Sequence, residues 1–331
     1  MRNAKIIAST MAVPGHVIPN SYFDELLGED VSTWLVENLT IRERRWLNEN
    51  ESVADLCVGA AQKALVQSDL NANQIDLIIV ATDTPEFISP STASVVQDRL
   101  KAKKSGTFDL NTACAGFVTA IDVGSKYIRS DDQYNNVLVI GAYGMSKYLD
   151  LQDKKTVTLF ADGAGAVILK AVESEQDTSG FLGSKLYTEG QYNGWMGIYA
   201  GGTRHPLNKQ VLDNKDHLLK FVKKFPKEIN PQTWTRMISE LSMRNGHTPQ
   251  DIDKIFFTQI NINSIVETMA NLGLDMSKTH TIMDRFAYTG SACIPMALAD
   301  ASEKGMLKSG DLVYFMGSGG GLAFACAGFR W

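Results

Sequence analysis

The sequence predicts an α/β protein assembled from two duplicated halves, and three observations carry that expectation. Short apolar runs alternate with amphipathic stretches along the chain. Three segments recur in the same order at a nearly constant offset. The 331 residues are 44% hydrophobic and 21% charged, enough for two units around a large core.

The elements follow in order. "VADLCVGAAQKALVQ" (53–67) places Val53, Leu56, Cys57, Ala60, Ala64 and Leu65 near one helical face. "IDLIIVAT" (75–82) is short, β-branched and continuous in its apolarity, the pattern of a strand covered on both faces. "GTFDLN" (106–111) reads as a strand end and "AGFVTAIDVGSKYI" (115–128) as the helix after it. "NVLVIGA" (136–142), "DKIFFTQI" (253–260) and "DLVYFMG" (311–317) read as further buried strands. "QIDLIIVAT" aligns with "DIDKIFFTQ" at an offset of 177, "TACAGF" with "SACIPM" at 179, and "NNVLVIGA" with "GDLVYFMG" at 175. The repeat divides the chain into halves 1–173 and 174–331. "ESEQDTSG" (173–180) is then a boundary between halves rather than a flexible linker.

Composition narrows the function. A formal net charge of −5 and the lack of a dense Lys/Arg run argue against a nucleic-acid partner. No apolar stretch reaches membrane-spanning length, and the apolar part of the first 16 residues is short for a signal peptide. The four cysteines, Cys57, Cys114, Cys293 and Cys326, and the five histidines form no metal spacing, so no metal is expected. Cysteines without paired spacing fit a reducing, cytoplasmic setting.

Cys114 is the candidate nucleophile. A free cysteine is most often core filler, and Cys57 and Cys326 are read so. Cys114, however, stands where a strand end meets a helix start, and a helix N-terminus lowers a thiol pKa. The small Ala115 and Gly116 admit a substrate close to the backbone, and the Cys114 N–H is placed for an oxyanion hole. Cys293 holds the matching place in the second half, but the bulkier Ile294 and Pro295 follow it. "GSGGGLAFACAGF" (317–329) puts Gly319, Gly320 and Gly321 after the last strand, a turn that can aim an N–H at a developing oxyanion. The lysine and hydroxyl of a phosphate loop are missing there. "FADGAGAVIL" (160–169) lacks dinucleotide spacing and reads as tight packing between layers.

Together, "NTACAGF", "LFADGAGAVIL", "SPSTAS" (89–94), "YTGSACIPMAL" (288–298) and "GSGGGLAF" make the chain resemble the ketoacyl synthase III family of the thiolase superfamily. The resemblance implies a homodimer with a thiolase-like five-layer αβαβα sandwich in each chain. It implies an acyl group taken from CoA or acyl carrier protein onto a cysteine, then condensation with a decarboxylated malonyl thioester. No cofactor is implied beyond that thioester substrate. Cys114 carries over as nucleophile and Gly320 as an oxyanion donor. Two positions depart from the family. Gln259 in "TQINI" stands where the family has its histidine, and Tyr288 in "FAYTGSA" where it has its asparagine. Both can donate a hydrogen bond, but Gln cannot shuttle a proton near neutral pH.

Further positions follow from the same resemblance. Trp34 matches a tryptophan that stacks on the CoA adenine. Asn38 replaces a neighbouring arginine, leaving Arg42 and Arg44 to meet phosphates or solvent. Ser264 replaces an arginine that helps dock carrier protein. Ser89 replaces a bulkier residue that reaches into the partner's acyl pocket, which leaves room for longer or branched chains. "ATDTPEF" offers Asp83 and Glu86 as acids, with turn capping the expected role of Asp83. The expected function is acyl transfer through Cys114 to a carbon or heteroatom acceptor. The alternatives are ordinary 3-oxoacyl synthesis and a weakly catalytic partner subunit of a condensing heterodimer.

Overall fold

The computed structural model describes residues 2–173 and 178–331. Nine strands form two main sheets: β1 (Arg2–Ala12), β2 (Leu77–Ala81), β3 (Gly106–Leu110), β4 (Asn136–Gly144), β5 (Asp162–Glu173), β6 (Gly180–Thr188), β7 (Lys254–Phe257), β8 (Leu312–Gly319) and β9 (Ala323–Arg330). The first sheet runs β1-β5-β4-β2-β3 and the second β7-β8-β9-β6. In the first, β2 is parallel to β3 and β4, while β5 is antiparallel to β4 and β1. In the second, β7 is parallel to β8, and β9 is antiparallel to β8 and β6. An isolated parallel bridge, Ile255 to Thr279, sits where β3 sits in the first half. The two halves thus share one strand order. The expected boundary after residue 173 falls at residues 174–177, outside the described residues.

Six longer helices fill the layers: α1 (Val53–Gln67), α2 (Thr92–Leu100), α3 (Gly116–Ser130), α4 (Ile229–Arg244), α5 (Ile262–Asn271) and α6 (Cys293–Glu303). Helices α3 and α6 lie between the sheets. Their Phe117, Ile121, Met296 and Leu298 join Ile79 and Val139 of one sheet and Phe256 and Phe315 of the other in one core. Alternate residues of the same strands face outward. Ile78, Val80, Leu138 and Ile140 pack with Leu56, Ala60 and Ala64 of α1. Ile255, Phe257, Tyr314 and Met316 pack with Trp234, Ile238 and Leu241 of α4. Period-two alternation with apolar residues on both sides explains the unbroken apolar runs. The result is the five-layer αβαβα sandwich.

Local chemistry sets the ends of α1. Ser52 and Asp55 form a capping box, with the Ser52 N–H donating to Asp55 Oδ2 at 2.7 Å. Glu86 Oε2 accepts the Ala54 N–H at 3.1 Å and so joins this cap. The glycines of "FADGAGAVIL" lie on β5 under α6, as the packing reading expects. A Cβ on Gly165 would stand 2.6 Å from Pro295 Cβ and 2.7 Å from the Met296 nitrogen.

Candidate active site

Strand β3 ends at Leu110, and the chain turns through 111–115 into α3. Asn111 Oδ1 accepts the Ala113 N–H at 2.9 Å, and Ala113 takes a left-handed φ of +46°. That conformation is uncommon for a residue with a Cβ, at a cost of order 1 kcal/mol or more. The Ala115 N–H donates to Thr112 O at 3.1 Å and the Gly116 N–H to Ala113 O at 2.8 Å. Cys114 therefore rides a tight strand-to-helix turn, only 2% exposed. The end of β8 presses on this turn. A Cβ on Gly319 would stand 2.4 Å from the Cys114 nitrogen, so glycine is required at that contact.

Cys114 faces a cavity of about 250 Å³ that Asp83, Asn111, Tyr143, Gly320 and Gly321 also line. Its outer wall comes from Asn193 and the 196–199 stretch, steadied by the pairing of 196–197 with 220–221. A larger groove of about 670 Å³ beside α4, lined by Tyr192, Gln232 and Arg236, has no cysteine among the described residues that line it. The chemistry therefore belongs to the smaller space. Burial pushes the Cys114 thiol well above its ordinary value, and the Asp83 charge adds to this. The phenol of Tyr288 opposes both by a hydrogen bond to the sulfur. The helix start was expected to leave the thiol depressed, and desolvation outweighs it.

Tyr288 is brought beside the sulfur by main-chain bonds to the 159–161 segment: its N–H donates to Leu159 O at 3.0 Å and its carbonyl accepts from Ala161 at 2.9 Å. Its ring packs 5.4 Å from Phe160 and 6.4 Å from Tyr143, centroid to centroid. Gln259 is placed differently. Its Nε2 donates to His280 O at 3.1 Å and its Oε1 accepts the Ile282 N–H at 2.9 Å. The amide ties down the 280–282 segment, and neither Gln259 nor Tyr288 is among the residues that line the cavity. Among the described residues no histidine lines it either; His280 Nε2 meets Asp300 Oδ2 at 2.6 Å instead.

Residues 108–190 match the 3-oxoacyl-[acyl-carrier-protein] synthase III family and residues 243–331 match its C-terminal part. A beta-ketoacyl-[acyl-carrier-protein] synthase III of Natranaerobius thermophilus is 33% identical over 335 residues, covering 100% of both chains. A synthase of the same name from Clostridium perfringens is 34% identical over 337 residues, covering 99% of each chain. The chain belongs to the 3-oxoacyl-ACP synthase III family. The crystal structure of the 3-oxoacyl-[acyl-carrier-protein] synthase III of Aquifex aeolicus superposes with a TM-score of 0.88 at 30% identity, over 99% of this chain and 100% of that one. As a member of this family of condensing acyltransferases, the chain is an enzyme of the thiolase fold.

The remaining family positions scatter. Gly320 lines the cavity with Cys114. Trp34 is 54% exposed on the helix Ser32–Leu39, and Arg42 is exposed beyond that helix. Arg44 is corrected from a phosphate candidate to a core residue. It is fully buried, donates to Asn20 Oδ1 at 2.9 Å and Thr158 O at 2.7 Å, and stacks 4.5 Å over Phe23. Burial lowers its pKa to about 9. Ser89 is exposed and outside the cavity of its own chain. Asp83 lines the cavity; burial raises its pKa and a backbone hydrogen bond within its own residue lowers it, while its Oδ1 is buried without a hydrogen-bond partner among the described residues. Sequence reasoning missed Tyr143, Asn111 and the 193–199 wall. For the wall alone there was a signal, the long irregular stretch between β6 and α4, since such loops inside compact folds usually carry function.

Proposed function

We propose that this protein loads an acyl group from acyl-CoA onto Cys114 and passes it to a carbon or heteroatom acceptor, with malonyl decarboxylation at most a minor activity. The observation that carries the reading is Cys114 itself, on a tight turn, facing a cavity beside Gly320, with the Tyr288 phenol on its sulfur. The N–H groups of Cys114 and Gly320 are the oxyanion donors we assign, a contribution that typically reaches about 100- to 1000-fold per donor. The engagement of the Gln259 amide by residues 280 and 282 supports the absence of an enolate donor there. A homodimer is part of the reading, supported by the strand β3, whose pairing among the described residues is with β2 alone.

The second reading is ordinary 3-oxoacyl-ACP synthesis, favoured by the names of the curated relatives, with Tyr288 as sole side-chain donor to the enolate. One experiment separates them. The protein is incubated with acetyl-, octanoyl- and palmitoyl-CoA and its mass measured, then malonyl-CoA is added and CO2 collected. An adduct that Cys114→Ala abolishes and Cys293→Ala preserves, with little CO2, is the expected result. An undiminished adduct in Cys114→Ala sinks the nucleophile assignment. Rapid CO2 release with a ketoacyl product puts the second reading in place of the first. Absence of any adduct leaves the partner-subunit alternative.

A further inference from the structure

We propose that Asp83 is the proton acceptor for acyl transfer at Cys114, a role that rests on the acyl-enzyme reading above. Three observations place it there. Asp83 follows β2 and lines the same cavity as the sulfur. The residue keeps some exposure toward that cavity, yet its Oδ1 is shut from solvent and unpartnered among the described residues. No lysine, arginine or histidine among the described residues lines the cavity to pair with it.

Other carboxylates around this end of the sheet show what a structural acid does here. Asp109 accepts the N–H groups of Thr92 and Ala93 at 2.6 and 2.8 Å. Asp162 accepts those of Leu47 and Ser146 at 2.7 and 2.8 Å. Glu86 caps α1 through Ala54. Each holds a backbone segment in place, whereas Asp83 holds none by its Oδ1. A buried carboxylate oxygen without a partner is a cost to folding, and such costs concentrate where chemistry needs them.

The site otherwise lacks a base. Burial holds the Cys114 thiol in its protonated form, and with no imidazole in the cavity its proton needs another acceptor. The titratable groups facing Asp83 are Cys114, Tyr143 and Tyr148, all far weaker acids. Burial moves Asp83 itself up to about 6, near the value a general base needs. In loading, the Asp83 carboxylate takes the S–H proton as the Cys114 sulfur bonds the acyl carbon. The bond from that carbon to the CoA sulfur breaks, and the proton passes to the departing CoA thiolate. In discharge, Asp83 takes the proton of an acceptor X–H as X bonds the acyl carbon, and returns it to the freed Cys114 thiolate. The acceptors this relay fits carry their own ionisable proton. A malonyl thioester, whose nucleophile is released by loss of CO2, has no use for it.

The test is exchange of labelled free CoA into acetyl-CoA by the whole enzyme, which uses both half-reactions with CoA as the proton-bearing acceptor. Asp83→Asn is expected to slow exchange and Cys114 acylation by about 100-fold or more. Asp83→Glu, a base on a longer stem, is expected to recover part of the rate. The wild-type rate should rise with pH to a plateau above about 6, and that limb should vanish in Asp83→Asn. A bystander charge gives the opposite sign: removing it would ease thiolate formation and speed acylation. Unchanged or faster exchange in a folded Asp83→Asn, or a rate in Asp83→Glu no better than in Asp83→Asn, therefore overturns the proposal while leaving Cys114 as the acylated residue. Absence of a Cys114 adduct in the wild type would instead overturn the acyl-enzyme reading and this relay with it.

Discussion

Gln259 shows how a side chain in a catalytic position can become structural. The amide replaces a family histidine but spends its acceptor and one donor on the backbone of 280 and 282. Replacing Gln259 by Leu keeps roughly the volume and orphans the buried Ile282 N–H and the His280 carbonyl. Each orphaned group costs about 1–3 kcal/mol, so unfolding stability should fall by about 2–6 kcal/mol, measured by urea titration. Acylation of Cys114 in the folded fraction should persist. A stable Gln259→Leu protein whose acylation has collapsed would restore this amide to the chemistry. Cys114 was legible in the sequence because small residues and a strand-to-helix change mark its turn. Asp83 was legible as an acid on offer but its expected role was turn capping, because what sets it apart is an Oδ1 without a partner among the described residues. The fate of Gln259 was hidden as well, since its partners lie more than twenty residues along the chain.

At the scale of elements, the closeness of β5 and α6 positions the second half against the first. The glycines on β5 let the start of α6 come within backbone contact, near Cys293 and the Tyr288 segment. Gly165→Ala would put a methyl group 2.7 Å from the Met296 nitrogen and the Pro295 carbonyl carbon, atoms of a rigid helix start. Overpacking of this kind costs about 1–3 kcal/mol, and the urea midpoint should fall accordingly. An unshifted midpoint would mean that α6 gives way at no cost. The same strand marks a limit of sequence reading. Helix 53–67 and the strands at 77–81, 136–144, 254–257 and 312–319 follow their periodicity closely. Strand 162–173 reads as a glycine-rich packing segment, because its glycines lower local strand preference and only the neighbouring helix explains them. Strands 2–12, 180–188 and 323–330 share that concealment, being interrupted by small or polar residues.

At the scale of the whole molecule, the duplication was legible because buried parallel strands must be apolar throughout, so both copies keep one pattern. What one chain's sequence leaves unsaid is how much acyl volume the assembly offers. The cavity at Cys114 is about 250 Å³. Pockets for drug-sized ligands usually hold about 300–1,000 Å³, so a long acyl chain needs space from beyond this protomer. The loop carrying Ser89 is the candidate donor of that boundary. It also presents Phe87 and Ile88, 51% and 85% exposed, a costly display for a lone chain. In the homodimer we propose, this loop borders the partner's acyl site, and the small Ser89 leaves it deep. Ser89→Phe should then slow acylation by palmitoyl-CoA at least about 10-fold, the effect of losing 1.4 kcal/mol of chain burial, while acetyl-CoA loads at its former rate. Adduct formation followed by mass, with light scattering to confirm the dimer, reads both. Equal losses for the two donors would show that the substitution disturbs the fold or the interface and that Ser89 does not border the acyl chain. No loss for either would place the long chain along another wall, with the 193–199 stretch the next to vary.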